Sequence, residues 1–316
     1  MLDAKLHQPS ESPIRKPDTG HSPPASPYRE AYSLYLFTRS DFKTIVIPQT
    51  LFGICTALSA SSFHLPPKPS LLILARTPFV LIWTWINLLP FAIDNQRQKL
   101  SIEEDALNKP WRPLPSGRMT SRRAWQWVLG LYPVTVLVSV WLGGLRQCGL
   151  LIALGIWYND FGGADKNPVI RNFINACGFL CYTSGAMEVA YSDPPPLAFS
   201  PRLLRWLALI GGVVISSVHS QDLYDQAGDS IRGRRTMPLV MGEWPSRISI
   251  AGAVATWTAF GRWFWQVQGL GCVPVVMLGV VVAIRTVSSR GVEEDKRTFK
   301  LWNAWLVALY FLPLVK

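Results

Sequence analysis

Long apolar stretches, separated by short polar segments, run through most of this 316-residue chain. A helix that spans a lipid bilayer needs about 20 largely uncharged residues, and most of the stretches approach that length. Nine of them predict membrane-spanning helices: Thr44–Ser61, Leu71–Leu89, Trp125–Leu142, Cys148–Tyr158, Asn172–Val189, Leu203–Ser220, Ile248–Val267, Cys272–Val287 and Phe299–Val315. The fourth is short, and it spans only if the polar "YND" at its end lies inside the bundle. We therefore expect an all-α polytopic membrane protein with about nine transmembrane helices.

The composition supports this class. Hydrophobic residues make up 49% of the chain and charged residues only 16%, whereas roughly a quarter of the residues in an average soluble domain are charged. A soluble all-helical protein with buried helices is the alternative. Residues 1–40 are rich in proline, serine and charge and lack an apolar core, so we predict a disordered cytosolic leader there. Residues 41–316 then form the transmembrane domain.

The net charge of +11 is distributed unevenly among the loops. Basic residues are concentrated after the second, fourth, sixth and eighth predicted spans: Arg97, Lys99, Lys109, Arg112, Arg118, Arg122 and Arg123; Lys166 and Arg171; Arg232, Arg234, Arg235 and Arg247; Arg290, Lys296, Arg297 and Lys300. Cytosolic loops of membrane proteins carry the excess of lysine and arginine, so the asymmetry predicts that these loops and the N-terminus face the cytosol. A nucleic-acid partner is not needed to explain the charge.

Two of the cytosolic segments combine acids with bases, which at the end of a span usually marks a site. They read "IDNQRQKLSIEEDALNKPWRPLPSGR" and "HSQDLYDQAGDSIRGRRTMP". In the second, Asp222, Asp225 and Asp229 follow one another at i, i+3 and i+7, which is one face of a helix. Oxygen ligands with this spacing suit Mg²⁺. A solvated helix end is the alternative for these acids.

In the first segment, Asp105 and Lys109 are four residues apart, which alone would indicate a surface ion pair on a short helix. Two acid-and-base clusters on one membrane face favour a site instead. Carboxylates that hold Mg²⁺, beside Lys and Arg that bind oxyanions, predict a diphosphate site. The prolines of "NKPWRPLPSGR" are predicted to keep that loop extended, so that Lys109 and Arg112, with Arg118 as a further candidate, face the phosphates. A kinase-like site is excluded because no glycine-rich phosphate loop occurs.

These segments resemble motifs of a known family. "DALNKPWRPLPSG" is similar to the DxxNxPxRPxPSG segment of UbiA-type intramembrane prenyltransferases, and "DLYDQAGDSIRGRRTMP" to that family's second aspartate motif. The resemblance extends from about Thr44 to the C-terminus and implies a UbiA-like bundle of nine helices. One departure lies where the family carries NDxxDxxxD: this chain reads "NQRQKLSIEED", with Gln96 after the asparagine. That departure, together with "YNDFGGADK", is similar to fungal membrane-bound terpene cyclases.

The resemblance also implies site residues. One Mg²⁺ would be held by Asn95, Glu104 and Asp105, and a second by Asp222, Asp225 and Asp229. The shares of Gln96, Glu103 and Glu104 in the first ion stay open, and the family often has its second middle acid at the place of Gln226. The diphosphate would be held by Lys109, Arg112, Lys166 and Arg235. Asp105, Asp222, Asp229 and Tyr158, which matches a pocket tyrosine of the family, are the expected catalytic residues.

The leading hypothesis is a terpene cyclase that ionises farnesyl or geranylgeranyl diphosphate with Mg²⁺ in an apolar cavity. Candidate rings that face the cation, each of which could equally be a packing residue, are Trp83, Trp85, Trp157, Tyr158, Tyr182 and Tyr224. The alternative is a prenyltransferase that attaches the chain to an aromatic or polyketide acceptor. A transporter or inactive scaffold would not need the second aspartate cluster. We expect an endoplasmic reticulum protein, in contact with membrane lipid, with its active-site loops in the cytosol.

Overall fold

The computed structural model describes residues 26–191 and 199–316, and all regular structure in them is helical. The α-helices are α1 (Pro27–Thr38), α2 (Ile47–Leu58), α3 (Ser70–Ala75), α4 (Thr77–Arg97), α5 (Lys99–Asn108), α6 (Ser121–Leu142), α7 (Leu145–Asn159), α8 (Pro168–Tyr191), α9 (Pro201–Ser217), α10 (Asp222–Arg232), α11 (Met237–Met241), α12 (Glu243–Trp265), α13 (Val273–Ser288) and α14 (Val292–Tyr310). A π-helix (Phe42–Val46) and 3₁₀ turns (Ala60–Phe63, Val218–Gln221, Gly269–Cys272, Leu312–Leu314) complete them. The predicted all-α class is confirmed for these residues.

Each predicted apolar stretch lies in helical structure, but the helices differ in how well they suit a bilayer. Among the described residues, four helical segments are long and apolar enough to cross a membrane: Ser70–Arg97, Ser121–Leu142, Pro201–Arg232 and Gly269–Ser288. A shorter apolar segment covers Phe42–Leu58. Length and composition thus support a membrane protein, while the number of nine spans stays a prediction.

The outer surface of the bundle is apolar as well. Large hydrophobic side chains on α6 and α13, among them Leu137, Trp141, Met277 and Ile284, are at least 60% exposed. A water-soluble monomer rarely exposes apolar residues in such numbers along whole helices. This surface favours contact with lipid over the soluble all-helical alternative.

Helix α1 corrects the predicted leader. Ser26 caps its first turn, and Glu30 accepts a hydrogen bond of 2.6 Å from Nε1 of Trp127 on α6. Caps and tertiary contacts of this kind stabilise a short helix that lacks a long apolar run. The prediction of disorder is therefore wrong for residues 27–38. Residues 1–25 of the predicted leader lie outside the described residues.

Helix α8 is central, in contact with α2, α4, α7 and α9. Small residues permit these close contacts. A Cβ added to Gly53 of α2 would lie 2.6 Å from the carbonyl carbon of Ala186, and one added to Gly185 would lie 2.0 Å from the ring of Trp83. Trp83 is fully buried and donates a 3.0 Å hydrogen bond to Ser139 Oγ, so its ring is fixed. The geometry therefore requires glycine at both positions.

Candidate active site

A cavity of about 190 Å³ lies between α4, α7, α8 and the chain around Asp41. Its charged end is lined by Asp41, Asn95, Glu104, Lys109, Arg112, Arg171, Asp225 and Arg234. Its other end is lined by apolar and aromatic side chains, namely Leu88, Phe91, Ala92, Leu151, Leu154, Ile174, Phe179, Tyr182 and Val218. A helix rises 1.5 Å per residue, so the lining of α8 from Arg171 to Tyr182 is roughly 16 Å long. The cavity thus divides into a charged and an apolar part.

The two segments singled out in the sequence meet at the charged end. Helices α5 and α10 are in contact. Lys109 Nζ lies 3.3 Å from Asp225 Oδ2, and Glu104 accepts hydrogen bonds from Arg232 Nη1 at 3.3 Å and Arg234 Nη1 at 3.2 Å. Acids of one segment are therefore paired with bases of the other in a single polar cluster.

Asp222 is connected to Tyr158 through Arg171. One terminal nitrogen of the Arg171 guanidinium donates to Asp222 Oδ1 at 2.9 Å, and the other donates to the Tyr158 hydroxyl. Tyr158 lines the cavity, with its ring centroid 5.4 Å from that of Phe91. The sequence identifies Arg171 only as one of the basic residues of a predicted cytosolic loop, because a single arginine at the start of an apolar stretch belongs to no motif.

Asp105 and Asp229 are held by arginines in the same way. Arg112 Nη1 donates to both oxygens of Asp105, at 2.7 and 2.9 Å, and Arg234 Nη1 donates to Asp229 Oδ1 at 2.7 Å. All four side chains are buried. Buried charges need such partners, because an unpaired charge would lose its hydration without compensation.

Arginines keep two of the neighbouring acids, Glu104 and Asp165, ionised. Burial opposes the charge of Glu104, but Arg234 and Arg232 outweigh it and hold the pKa of Glu104 below its ordinary value. Burial opposes the charge of Asp165 likewise, and Arg232 and Arg234 lower the pKa of that residue too. Both carboxylates are therefore negatively charged at neutral pH.

The donor chemistry of the site fits Mg²⁺, although the described residues form no preassembled metal cage. Within the described residues, no group of three or more His, Cys, Asp or Glu side chains is arranged to hold a metal ion. The Oδ2 atoms of Asp222 and Asp229, however, are buried without a hydrogen-bond partner. Mg²⁺ in enzymes is commonly bound by one or two carboxylates together with substrate phosphates. These two oxygens supply the carboxylate part of such a set.

The altered first motif has a structural explanation. Gln96 donates from Nε2 to the backbone oxygen of Phe37 at 2.8 Å, so its amide holds the end of α1. Glu103 is exposed, whereas Glu104 is buried and lines the cavity. Asn95 also lines it, donating to the side chain of Asn159 at 2.9 Å. Of the three residues whose share was open, Gln96 and Glu104 line the cavity, whereas Glu103 does not.

Two predicted diphosphate ligands are not brought to the cavity. Lys166 and Arg235 are exposed and lie outside its lining. Gly233, with a left-handed φ of 73°, ends α10 and turns the chain back, so that Arg234 N donates to Asp229 O at 2.9 Å. The Arg234 side chain thereby enters the cavity lining, and it takes the place that the sequence assigned to Arg235.

The proline-rich loop is a series of turns, so the prediction of an extended segment is wrong. Ser116 donates to the backbone oxygen of Arg112 from its own N at 3.1 Å and from Oγ at 2.6 Å. The fixed φ of proline suits turns as well as extended chain. Lys109 and Arg112 nevertheless line the cavity, whereas Arg118 stacks over the ring of Tyr32.

Sequence reasoning missed Asp41 and part of the aromatic lining. Asp41 lines the charged end; burial raises its pKa, against the attraction of Arg112 and Lys109. A single acid outside both motifs gave no signal. Of the six candidate rings, Tyr158 and Tyr182 line the cavity, and the lining adds Phe91 and Phe179.

Comparison with known proteins finds relatives that match nearly the whole length of the chain. Residues 46–304 match the UbiA prenyltransferase family. The chain is 28% identical over 291 residues to the fumagillin beta-trans-bergamotene synthase of Aspergillus fumigatus, covering 89% of this chain and 91% of that protein. It is 28% identical over 289 residues to the somaliensene A/B synthase of Streptomyces somaliensis, covering 88% and 90%. Another relative bears the name of a polyprenyl transferase.

The fold is also found among solved structures. A UbiA homologue from Archaeoglobus fulgidus, bound to GPP and Mg²⁺, matches with a TM-score of 0.59 at 12% identity. The match covers 89% of this chain and 99% of that one. At this identity it shows a shared fold. Because the family match extends over most of the chain, the protein belongs to the UbiA prenyltransferase family and is an integral membrane enzyme.

Proposed function

We propose that the protein is a Mg²⁺-dependent terpene cyclase. It ionises a linear prenyl diphosphate, farnesyl (C15) or geranylgeranyl (C20), and closes the chain to a cyclic hydrocarbon with release of diphosphate. The observation that carries this proposal is the division of one cavity into a charged and an apolar part, because a prenyl diphosphate is divided in the same way. Three relatives bear the names of terpene synthases or cyclases, which supports cyclisation over transfer.

At the charged end, the arginines and lysine serve the diphosphate. Guanidinium groups bind phosphate oxygens with paired, charge-assisted hydrogen bonds. Lys109, Arg112, Arg171 and Arg234 line the cavity, where they would exchange carboxylate partners for diphosphate oxygens. The residues that would hold Mg²⁺ are Asn95, Glu104, Asp105, Asp222, Asp225 and Asp229. Bound Mg²⁺ supplies a Lewis acid that neutralises the charge of the leaving diphosphate.

The apolar part suits the cation that remains. The bond between the first carbon and the diphosphate oxygen breaks, and its electron pair leaves with the diphosphate. Aromatic faces such as Phe91, Tyr158 and Tyr182 stabilise a cation by roughly 0.5–2 kcal/mol each. The lining excludes water, which would otherwise capture the cation. A double bond of the same chain attacks the cation, and loss of a proton to diphosphate yields the neutral product.

The test uses membranes that contain the full chain, supplied with Mg²⁺ and either prenyl diphosphate but no acceptor. We expect a cyclic hydrocarbon by gas chromatography with mass spectrometry, together with released diphosphate. Asp222→Asn and Asp229→Asn should abolish the product, with their amount in the membrane measured alongside. Wild-type product from either variant would contradict the assigned site.

The second candidate is a prenyltransferase, which the transferase name of one relative supports. In that case prenyl diphosphate is consumed only when an aromatic acceptor is added, and the product carries the uncyclised chain on the acceptor. The basic loops support a cytosolic position for the charged end of the cavity. We place the protein in the endoplasmic reticulum, with membrane lipid around it and no nucleic-acid partner.

A further inference from the structure

Asn175 brings an amide into the apolar part of the cavity. It lies on α8 among the lining residues Ile174, Gly178 and Phe179. Its Nδ2 is buried without a hydrogen-bond partner, and no residue in the described parts of the chain bonds to its Oδ1. The residue as a whole is half-buried. A buried donor without a partner destabilises a folded protein, so its presence calls for an explanation.

Two other asparagines in the bundle, Asn172 and Asn87, donate hydrogen bonds from their amides to backbone oxygens. Asn172, three residues earlier on α8, donates to the backbone oxygen of Ile215 at 3.2 Å and lies 3.3 Å from His219 Nδ1. Asn87 Nδ2 donates to Trp83 O at 2.9 Å. Asn175 makes no comparable bond, so a packing role does not account for it.

The depth of Asn175 suggests what it faces. It follows Arg171 by four residues, which on a helix is one turn and about 6 Å along the axis. If Arg171 binds the diphosphate, as the proposed function requires, the first carbons of the prenyl chain lie at this depth. Positive charge develops on those carbons when the carbon–oxygen bond breaks and the electron pair leaves with the diphosphate.

We infer that Asn175 is a catalytic residue whose amide oxygen faces the allylic cation. The oxygen carries the negative end of the amide dipole, and no other hydrogen bond in the described residues turns it away. A fixed dipole in a cavity without water acts on a developing charge more strongly than the same dipole would in water. The amide therefore stabilises the transition state more than the bound diphosphate, and it favours the carbons nearest to it as the position of the charge.

The test replaces the amide with an apolar group of similar size, Asn175→Leu, in membranes that contain the full chain. We expect kcat to fall by about tenfold or more, as when one preorganised polar group is removed from an active site, with KM little changed. The distribution of cyclic products should shift. The melting temperature should stay equal or rise, because a buried amide nitrogen without a partner is removed.

Two further variants complete the design. Asn175→Asp keeps an oxygen at the same reach and should retain more turnover than Asn175→Leu. Phe173 lies on the exposed side of the same helix. The control variant Phe173→Leu should therefore change neither the rate nor the melting temperature.

Asn175→Leu with the wild-type rate and products would overturn the inference, and so would a loss of rate that follows an equal loss of stability. The proposed function fails separately, if the wild type forms only acceptor-linked chains. A slowed release of diphosphate in Asn175→Leu would then still support an amide that faces the cation.

Discussion

Arg234 and Arg235 are neighbours in the sequence, yet only Arg234 lines the cavity. We predict that Arg234→Ala lowers the rate of diphosphate release by about 100-fold or more, because a charged contact to the leaving group is lost. Asp229 also loses its arginine partner in this variant, and Glu104 loses one of its two. The matched control, Arg235→Ala, should stay near the wild-type rate. The assay compares kcat/KM at equal amounts of folded protein, and equal losses in the two variants would contradict the assignment.

The sequence predicted this site incompletely, for a reason visible at the level of single residues. Spacing along one helix predicts a shared face, and the structure brings one acid of α10, Asp225, to Lys109 of the first segment. Beyond the end of a helix that rule fails, because the φ of Gly233 decides which of two adjacent arginines turns inward. Asp41 and Arg171 reach the cavity only through tertiary packing, which no local pattern encodes.

At the scale of helices, the contact between α4 and α8 depends on Gly185. We predict that Gly185→Ala lowers stability by about 1–3 kcal/mol, because the new methyl group overpacks a buried, hydrogen-bonded Trp83. Gly130, on the exposed face of α6, has no atom within 4 Å of an added Cβ. Gly130→Ala should therefore be neutral or stabilise by up to about 1 kcal/mol. Thermal unfolding in detergent compares the two, and a fully stable Gly185→Ala would show that Trp83 moves aside.

Apolar stretches were sufficient to locate the long helices. The short fourth stretch depended on the polar "YND" being inside the bundle. Tyr158 and Asn159 at the end of α7 are buried, whereas Asp160 is exposed. Helix α1 escaped prediction because its order rests on contacts remote in sequence, such as the one between Glu30 and Trp127. Local hydropathy carries no information about such contacts.

For the molecule as a whole, the charged end of the cavity is neutralised from within. Asp222 pairs with Arg171, Asp229 with Arg234, and Lys109 with Asp225. If diphosphate binds these arginine and lysine side chains, the carboxylates lose their partners. If Mg²⁺ binds the carboxylates, the arginine and lysine side chains lose theirs. Only the two ligands together compensate both sets of charges.

We therefore predict that Mg²⁺ and inorganic diphosphate each raise the affinity for the other by the same factor, on the order of 10-fold or more. Mn²⁺ titrations followed by electron paramagnetic resonance, with and without diphosphate, measure this factor without any turnover. Arg235→Ala serves as the control and should keep it. Independent binding of the two ligands would contradict the exchange of partners.

The hydrogen bond between Gln96 and the backbone oxygen of Phe37 bears on how this chain can evolve. An aspartate at position 96, as in the NDxxDxxxD pattern, has no hydrogen to donate and would set a carboxylate against a carbonyl oxygen in a buried place. Leaving such groups unsatisfied costs about 1–3 kcal/mol, and more when one is charged. Because α1 relies on the glutamine, aspartate at position 96 is not a neutral replacement. A chain with aspartate there would need a compensating change at the end of α1.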